Sequence, residues 1–122
     1  MTQSRLVVAL IEPIILENGA HLYAKIDTGA DSSSIDKELA QELGEKKIQS
    51  HKIIKSALGR HRRPLINVAL ELQGKHFEEK FTLSDRSHLK YKVLIGKDIL
   101  QKEGFLVDPC LETQEEKEVS KQ

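Results

Sequence analysis

Residues 24–35 read AKIDTGADSSSI, an apolar approach that ends in Asp27, Thr28, Gly29, Ala30 and Asp31 before three serines. A carboxylate carried to the end of a strand can take a proton from water, and a glycine two positions on lets another backbone approach with no side chain in the way. The same letters also suit a plain turn, where Asp, Gly and Ser serve backbone geometry alone. Ser32, Ser33 and Ser34 read as loop residues that satisfy backbone groups and cap a following helix. A serine nucleophile needs a histidine base, and none lies in a motif with them. A second apolar run, VLIG, ends in Gly96 and is followed by Lys97.

The densest positive cluster is local. Gly59, Arg60, His61, Arg62 and Arg63 follow one another, with Lys52 and Lys55 on the approach. Over the whole chain Lys plus Arg and Asp plus Glu both number 19, so no net charge draws the protein to nucleic acid or an acidic membrane. No Trp, two Tyr and three Phe leave little for base stacking. His21, His51, His61, His76 and His88 are scattered, without an HExxH pair or a Cys–His cluster, and there is no phosphate-binding GxxxxGK loop. No metal and no cofactor are expected. Cys110 is the only cysteine; it excludes an intrachain disulfide and fits a reducing, cytoplasmic setting. The longest apolar run, Leu6 to Ile11, is too short to span a bilayer and lacks the cleavage pattern of a secretory signal.

The elements that must position these residues follow from periodicity. At 122 residues the chain has room for one domain with a modest core and not for two lobes. Arg5–Leu16 is rich in Val, Ile and Leu and holds Pro13, which makes it a bent or edge strand. Glu17, Asn18 and Gly19 turn it, and Leu22, Ala24 and Ile26 alternate with Tyr23 and Lys25, so a hairpin delivers Asp27 to a strand end. SIDKELAQELG repeats Ile35, Leu39 and Leu43, with Ser33 or Asp36 as cap and Gly44 as stop: a short helix. Ile48–Leu58 and Pro64–Leu72 read as strands around a basic turn at residues 59–63, and HFEEKFTL adds a strand with Phe77, Phe81 and Leu83 alternating. Asp85–Lys90 is a polar loop, YKVLIGKDIL a strand running into a helix closed by Gly104, and FLVD a last strand. ETQEEKEVSKQ is charged and aperiodic, the pattern of a disordered tail. The expected organisation is one mostly β domain over residues 1–109, a small barrel with two short helices, and a tail over 110–122.

LYAKIDTGADSSSID resembles the active-site segment of retropepsin-like aspartic proteases, and VLIGKDIL resembles their second hydrophobic-Gly element with the short helix after it. The chain is most similar to a cellular branch of that group, found in bacteria and archaea and formerly labelled putative ATP-dependent zinc proteases. The similarity runs through IDTGADSSSID, KSALGRHRRPLI, FTLSDRSHLKYKVLIGKDIL and GFLVDP. It implies a closed retropepsin-like (acid protease) barrel with one catalytic aspartate per chain, so that a homodimer brings two copies of Asp27 together to share a proton. One carboxylate would take a proton from water while the other donates to the peptide carbonyl. Thr28, Gly29, Ala30 and Asp31 would form the active-site loop, and Gly59–Arg63 a flap over the substrate. In many members an arginine follows the second glycine and pairs with the residue in the place of Asp31. Here Lys97 follows Gly96, a point charge rather than a planar fork. Relatives are linked to ATP-grasp ligases that add glutamate to protein tails, which implies a Glu-rich substrate and such a ligase as partner. His88 falls in a shared block with no role attached. For the zinc and ATP of the older label the sequence offers no ligands.

Two functions stay open at this level. One is a homodimeric aspartic endopeptidase acting on acidic protein tails. The other is a non-catalytic binding module of the same fold that grips an acidic peptide or a ligase with the basic hairpin. That hairpin can equally be a solvated tip whose charges discourage edge pairing. The intact Asp-Thr-Gly favours the enzyme, because a binder needs no carboxylate there. A nucleic-acid-binding OB-like barrel is set aside on charge and aromatic content.

Overall fold

The apolar N-terminal run does not stay one strand. In a computed structural model, which describes residues 4–46 and 48–120, it divides at Ala9 and Leu10 into β1 (Val7–Val8) and β2 (Ile11–Leu16). Glu12 turns back at the break and accepts the Ala9 N–H at 2.6 Å. β2 turns through Gly19 (φ 85°) into β3 (His21–Ile26), its antiparallel partner. Pro13 is tolerated because β6 (Gly59–Leu72) reaches β2 only over Ile14–Leu16, so the proline has β3 alone beside it.

The remaining elements are β4 (Ser34–Asp36), α1 (Lys37–Gln41), β5 (Ile48–Ser56), β7 (Lys75–Ser84), β8 (Val93–Ile95), α2 (Lys97–Glu103), β9 (Leu106–Val107) and α3 (Gln114–Ser120). Strand order β2-β3-β8-β4-β7-β6 returns to β2 through the β2–β6 pairing and makes a ring of strands. β5 hangs outside the ring on β6, and β1 and β9 form a separate parallel pair. Ile14, Leu16, Ile35, Ile66, Leu72, Phe81 and Ile95 fill the centre and are almost fully buried. Each such side chain contributes about 1.5–3 kcal/mol by leaving water. No helix among the described residues is long and apolar enough to cross a membrane.

Three local structures differ from the sequence reading. In SIDKELAQELG only Lys37–Gln41 is helical, while Ser34–Asp36 is extended, parallel to β7 on one side and antiparallel to β8 on the other. Asp36 stands at the cap position without capping, because its Oδ1 accepts the Arg86 N–H at 2.7 Å. The basic residues 60–63 are not a turn: they begin β6, and the chain reverses at Ala57 and Leu58, with Ser56 opposite Gly59.

The third difference is at the C-terminal end. In place of an irregular tail, residues 114–120 form a third short helix, α3. Thr113 Oγ1 accepts the Glu116 N–H at 3.0 Å and Glu116 Oε2 accepts the Thr113 N–H at 3.2 Å, a reciprocal capping box. Residues 121 and 122 of the expected tail lie outside the described residues. Both tyrosines of the chain meet this helix. The Tyr91 hydroxyl donates to Glu115 at 2.6 Å, and Glu118 beside the Tyr23 hydroxyl pushes that phenol up to about 12. Tyr91 is raised as well, with Glu115 the main cause. A raised phenol stabilises the fold below its unfolded value near 10, and that contribution is lost as pH climbs through the folded value. Glu115, held below its usual range by the Tyr91 hydroxyl, has the opposite sense: its contribution fades as pH falls through the folded value. Near-ultraviolet titration of the native protein should therefore show little tyrosinate until pH exceeds about 10. In a Glu115→Gln, Glu118→Gln double variant the rise should move down toward that value. Identical curves for the two proteins would show that α3 does not dock as described.

Candidate active site

β3 and β8 run parallel, with Ala24 beside Val93, Lys25 beside Leu94 and Ile26 beside Ile95. They end at one level, so the loop leaving each strand meets the other. The Asp27 N–H donates to the Ile95 carbonyl at 2.9 Å, and the Lys97 N–H donates to the Ala30 carbonyl at 2.8 Å. Gly96 sits between these two bonds. A Cβ there would lie 2.7 Å from Ala30 O and 3.0 Å from the carbonyl carbon and oxygen of Ser32. Its φ of −98° suits any residue, so close approach of backbone is what demands glycine.

Asp27 is held partly buried on this clasp. Its Oδ1 accepts the Gly29 N–H at 2.9 Å and its carbonyl accepts the Ala30 N–H at 3.2 Å. Oδ2 has no hydrogen-bond partner among the described residues, which leaves one carboxylate oxygen for a water or a substrate. Thr28 and Gly29 are exposed at the tip. Asp31 and Lys97 pair across the clasp at 2.9 Å. The contact lowers the pKa of Asp31 and raises that of Lys97. Asp31 is 81% and Lys97 46% exposed at the side chain, so water screens the pair and it orients the loop more than it stabilises the fold.

Ser33 does more than a loop serine. It is fully buried; its hydroxyl donates to Asp98 Oδ1 at 2.7 Å and accepts the Gly96 N–H at 2.9 Å. Its own N–H reaches both Asp98 oxygens at 3.1 Å, and its carbonyl accepts from Thr82. Ser33 thus does not cap α1; it ties the Asp27 loop to the start of α2. Asp98 and Thr82 were not singled out from sequence. For Asp98 the signal was its place directly after Gly96 and Lys97, where an acid reads as an ordinary first-turn residue.

A cleft of about 490 Å³ opens beside the loop, between Gly29, Ala30 and Asp31 on one wall and the β5–β6 hairpin on the other. Lys52 and Arg63, opposite one another in register, both line it. Gly59, Arg60, His61 and Arg62 do not: the pleat sends Arg62 to the face away from Arg63, and the others lie nearer the tip. The tip itself is apolar, with Leu58 91% exposed.

Arg86 enters the cleft from the loop after β7, and sequence gave no sign of it. It is 9% exposed. Its Nε donates to the Tyr91 carbonyl at 2.9 Å and Nη1 to Ser34 Oγ at 3.4 Å. Burial pushes the guanidinium below its usual value; Asp36 opposes that shift, Arg63 adds to it and Asp27 opposes it. Lys92 Nζ closes the loop by donating to the carbonyls of Arg86, Ser87 and Leu89 at 2.9, 2.8 and 3.1 Å. His88 is exposed on the same loop and does not line the cleft.

Comparisons with known proteins agree with this geometry. The family model described as RimB-like, retropepsin-like aspartic endopeptidase RimB, matches residues 36–118, more than half of the chain and beginning beyond the Asp27 loop. Among curated proteins none matches significantly. Among solved structures, Lpg0085 from Legionella pneumophila subsp. pneumophila str. Philadelphia 1, a protein with unknown function (DUF785), is similar with a TM-score of 0.65 at 21% identity, over 91% of this chain and 98% of that one. The EIAV protease in complex with the inhibitor HBY-793 is similar with a TM-score of 0.62 at 22% identity, over 78% and 88% of the two chains. The retroviral protease-like domain of Ddi1 from Leishmania major follows the same fold with a TM-score of 0.53 at 20% identity, over 76% and 73%.

Proposed function

The chain belongs to the RimB-like family of retropepsin-like aspartic endopeptidases, and from that membership we propose that it is an aspartic peptidase working as a homodimer on acidic peptides. The observation that carries this reading is the Asp27 loop: a carboxylate clasped by two parallel strands, with one oxygen engaged by Gly29 and the other open. One such carboxylate per chain is half of an acid–base pair. In the dimer two of them stand close enough that a single proton is shared. The ionised one takes a proton from a bound water, which attacks the peptide carbonyl, and the protonated one donates to the carbonyl oxygen.

Support for a second copy comes from the surface next to Thr28. Arg5, Thr28, Lys97 and Val107 border one hollow, and Leu6, Leu10 and Leu106 stand 42–52% exposed along β1 and β9. An apolar strip beside an exposed threonine is the kind of face that a two-fold contact covers. Support for acidic substrates comes from Lys52, Arg63 and Arg86 meeting in the cleft of a chain with no net charge. A ligase of the ATP-grasp type that adds glutamate to protein tails would supply such a substrate.

Sedimentation equilibrium at micromolar concentration, from about pH 5 to 7.5, should give twice the chain mass over part or all of that range. A fluorogenic peptide carrying a run of glutamates should be cleaved by the same samples. A monomer throughout, with the peptide present and intact, would sink this reading.

A further inference from the structure

We propose that Arg86 forms the floor of a carboxylate-binding subsite beside Asp27 and is the residue that selects an acidic substrate side chain. The proposal deepens the peptidase reading by naming the group that recognises charge.

Arg86 is 9% exposed, yet no carboxylate among the described residues lies within ion-pair distance of its guanidinium. Asp36, the acid beside it, uses Oδ1 on the Arg86 backbone N–H instead. Two neutral acceptors, Tyr91 O and Ser34 Oγ, take Nε and Nη1, and Nη2 has no hydrogen-bond partner among the described residues. A charge taken out of water is costly unless something pairs with it. Asp36 and Asp27 favour the charged form of Arg86 without touching its guanidinium, and Arg63 stands close enough to disfavour it. Lys52 faces Arg63 directly across the β5–β6 hairpin, and like charges in that position repel. Four cations, Lys52, Lys55, Arg63 and Arg86, line the cleft.

A substrate carboxylate relieves this crowding of positive charge. It can meet Nη1 and Nη2 together in the two-point geometry that arginine offers and lysine does not. It also screens Arg86 from Arg63. The floor is prepared before binding, since Lys92 fixes the loop through three carbonyls and Tyr91 fixes the guanidinium. Little ordering is left to oppose the contact. A glutamine of the same shape brings no charge and leaves the buried cation uncompensated.

Burial separates this residue from the rest of the basic hairpin. Half-buried Lys52 and Arg63 keep contact with water and attract an acidic peptide through it, an attraction that salt weakens; a contact on the buried floor is screened far less. The test uses the full chain carrying Asp27→Asn, so that peptides bind without being cut. Calorimetry compares a capped hexapeptide of glutamate with one of glutamine at low salt and at about 0.5 M NaCl. The glutamate peptide should bind about 100-fold tighter at low salt, and about 10-fold of that preference should survive high salt. Adding Arg86→Gln should abolish the salt-resistant part and keep most of the salt-sensitive part. If thermal melting shows that Arg86→Gln does not fold, Arg86→Lys takes its place and should reduce the salt-resistant preference at least threefold. Equal binding of the two peptides at high salt, or a salt-resistant preference untouched by either substitution, overturns the proposal. Cleavage has no part in this readout, so failure of the peptidase reading shows separately, as intact peptide with the parent protein.

Discussion

Asp27→Asn is expected to lower kcat/KM on an acidic peptide by about 10³-fold or more and to change its binding by no more than about threefold. Asparagine keeps the shape of the side chain and the oxygen that accepts the Gly29 N–H at 2.9 Å. The clasp also stays, since the Asp27 and Lys97 bonds to Ile95 and Ala30 are made by backbone. What is lost is the ability to take a proton from water, and in a homodimer both copies lose it together. Cleavage is read with a fluorogenic glutamate peptide, binding by calorimetry and integrity by thermal melting. Undiminished cleavage would remove Asp27 from the mechanism. Loss of folding would make it a structural residue and leave the chemistry without its carboxylate.

Gly96→Ala has the largest expected effect on the fold for a change of one carbon: about 3 kcal/mol of destabilisation, with cleavage lost as the loop moves. The added Cβ would stand 2.7 Å from Ala30 O and 3.0 Å from the Ser32 carbonyl. These are backbone atoms of the loop that carries Asp27, so no side chain can swing aside. Relief requires β8 and α2 to part from that loop. The Lys97 N–H to Ala30 O bond and the Gly96 N–H to Ser33 Oγ bond then lengthen or break. Urea unfolding should show a lower midpoint with an unchanged slope. A midpoint equal to that of the parent would mean that the clasp is looser than these distances say.

What sequence disclosed and what it hid follow from the range of the forces involved. The β2–β3 hairpin, the glycine that ends α2 (Gly104, φ 76°) and the arrival of Asp27 at a strand end are local matters, written in alternation and turn residues. Ile35 misled because a strand buried between β7 and β8 needs an apolar residue at a place that also fits a four-residue helical repeat. Residues 60–63 read as a turn because Gly59 precedes them, whereas that glycine, with φ 116°, closes the reversal and hands the chain to β6. The capping box of α3 was present as Thr113 and Glu116, a T-x-x-E pattern hidden by the charge around it. Arg86 was out of reach altogether. Its guanidinium is held by Tyr91 on its own loop and by Ser34 from a distant strand, and a lone arginine in a polar loop carries no sign of either.

The β1–β9 pair sets Val7 beside Leu106, and the clasp sets Asp27 beside Ile95. A ribosome delivers Val7 and Asp27 well before Leu106 and Ile95. The nascent chain presents its carboxylate loop early and completes the surroundings only when residues 93–107 have emerged. Pairings so distant along the chain also close slowly. The loop that carries Asp27 therefore reaches its clasped form late, once β8 and β9 have joined β3 and β1.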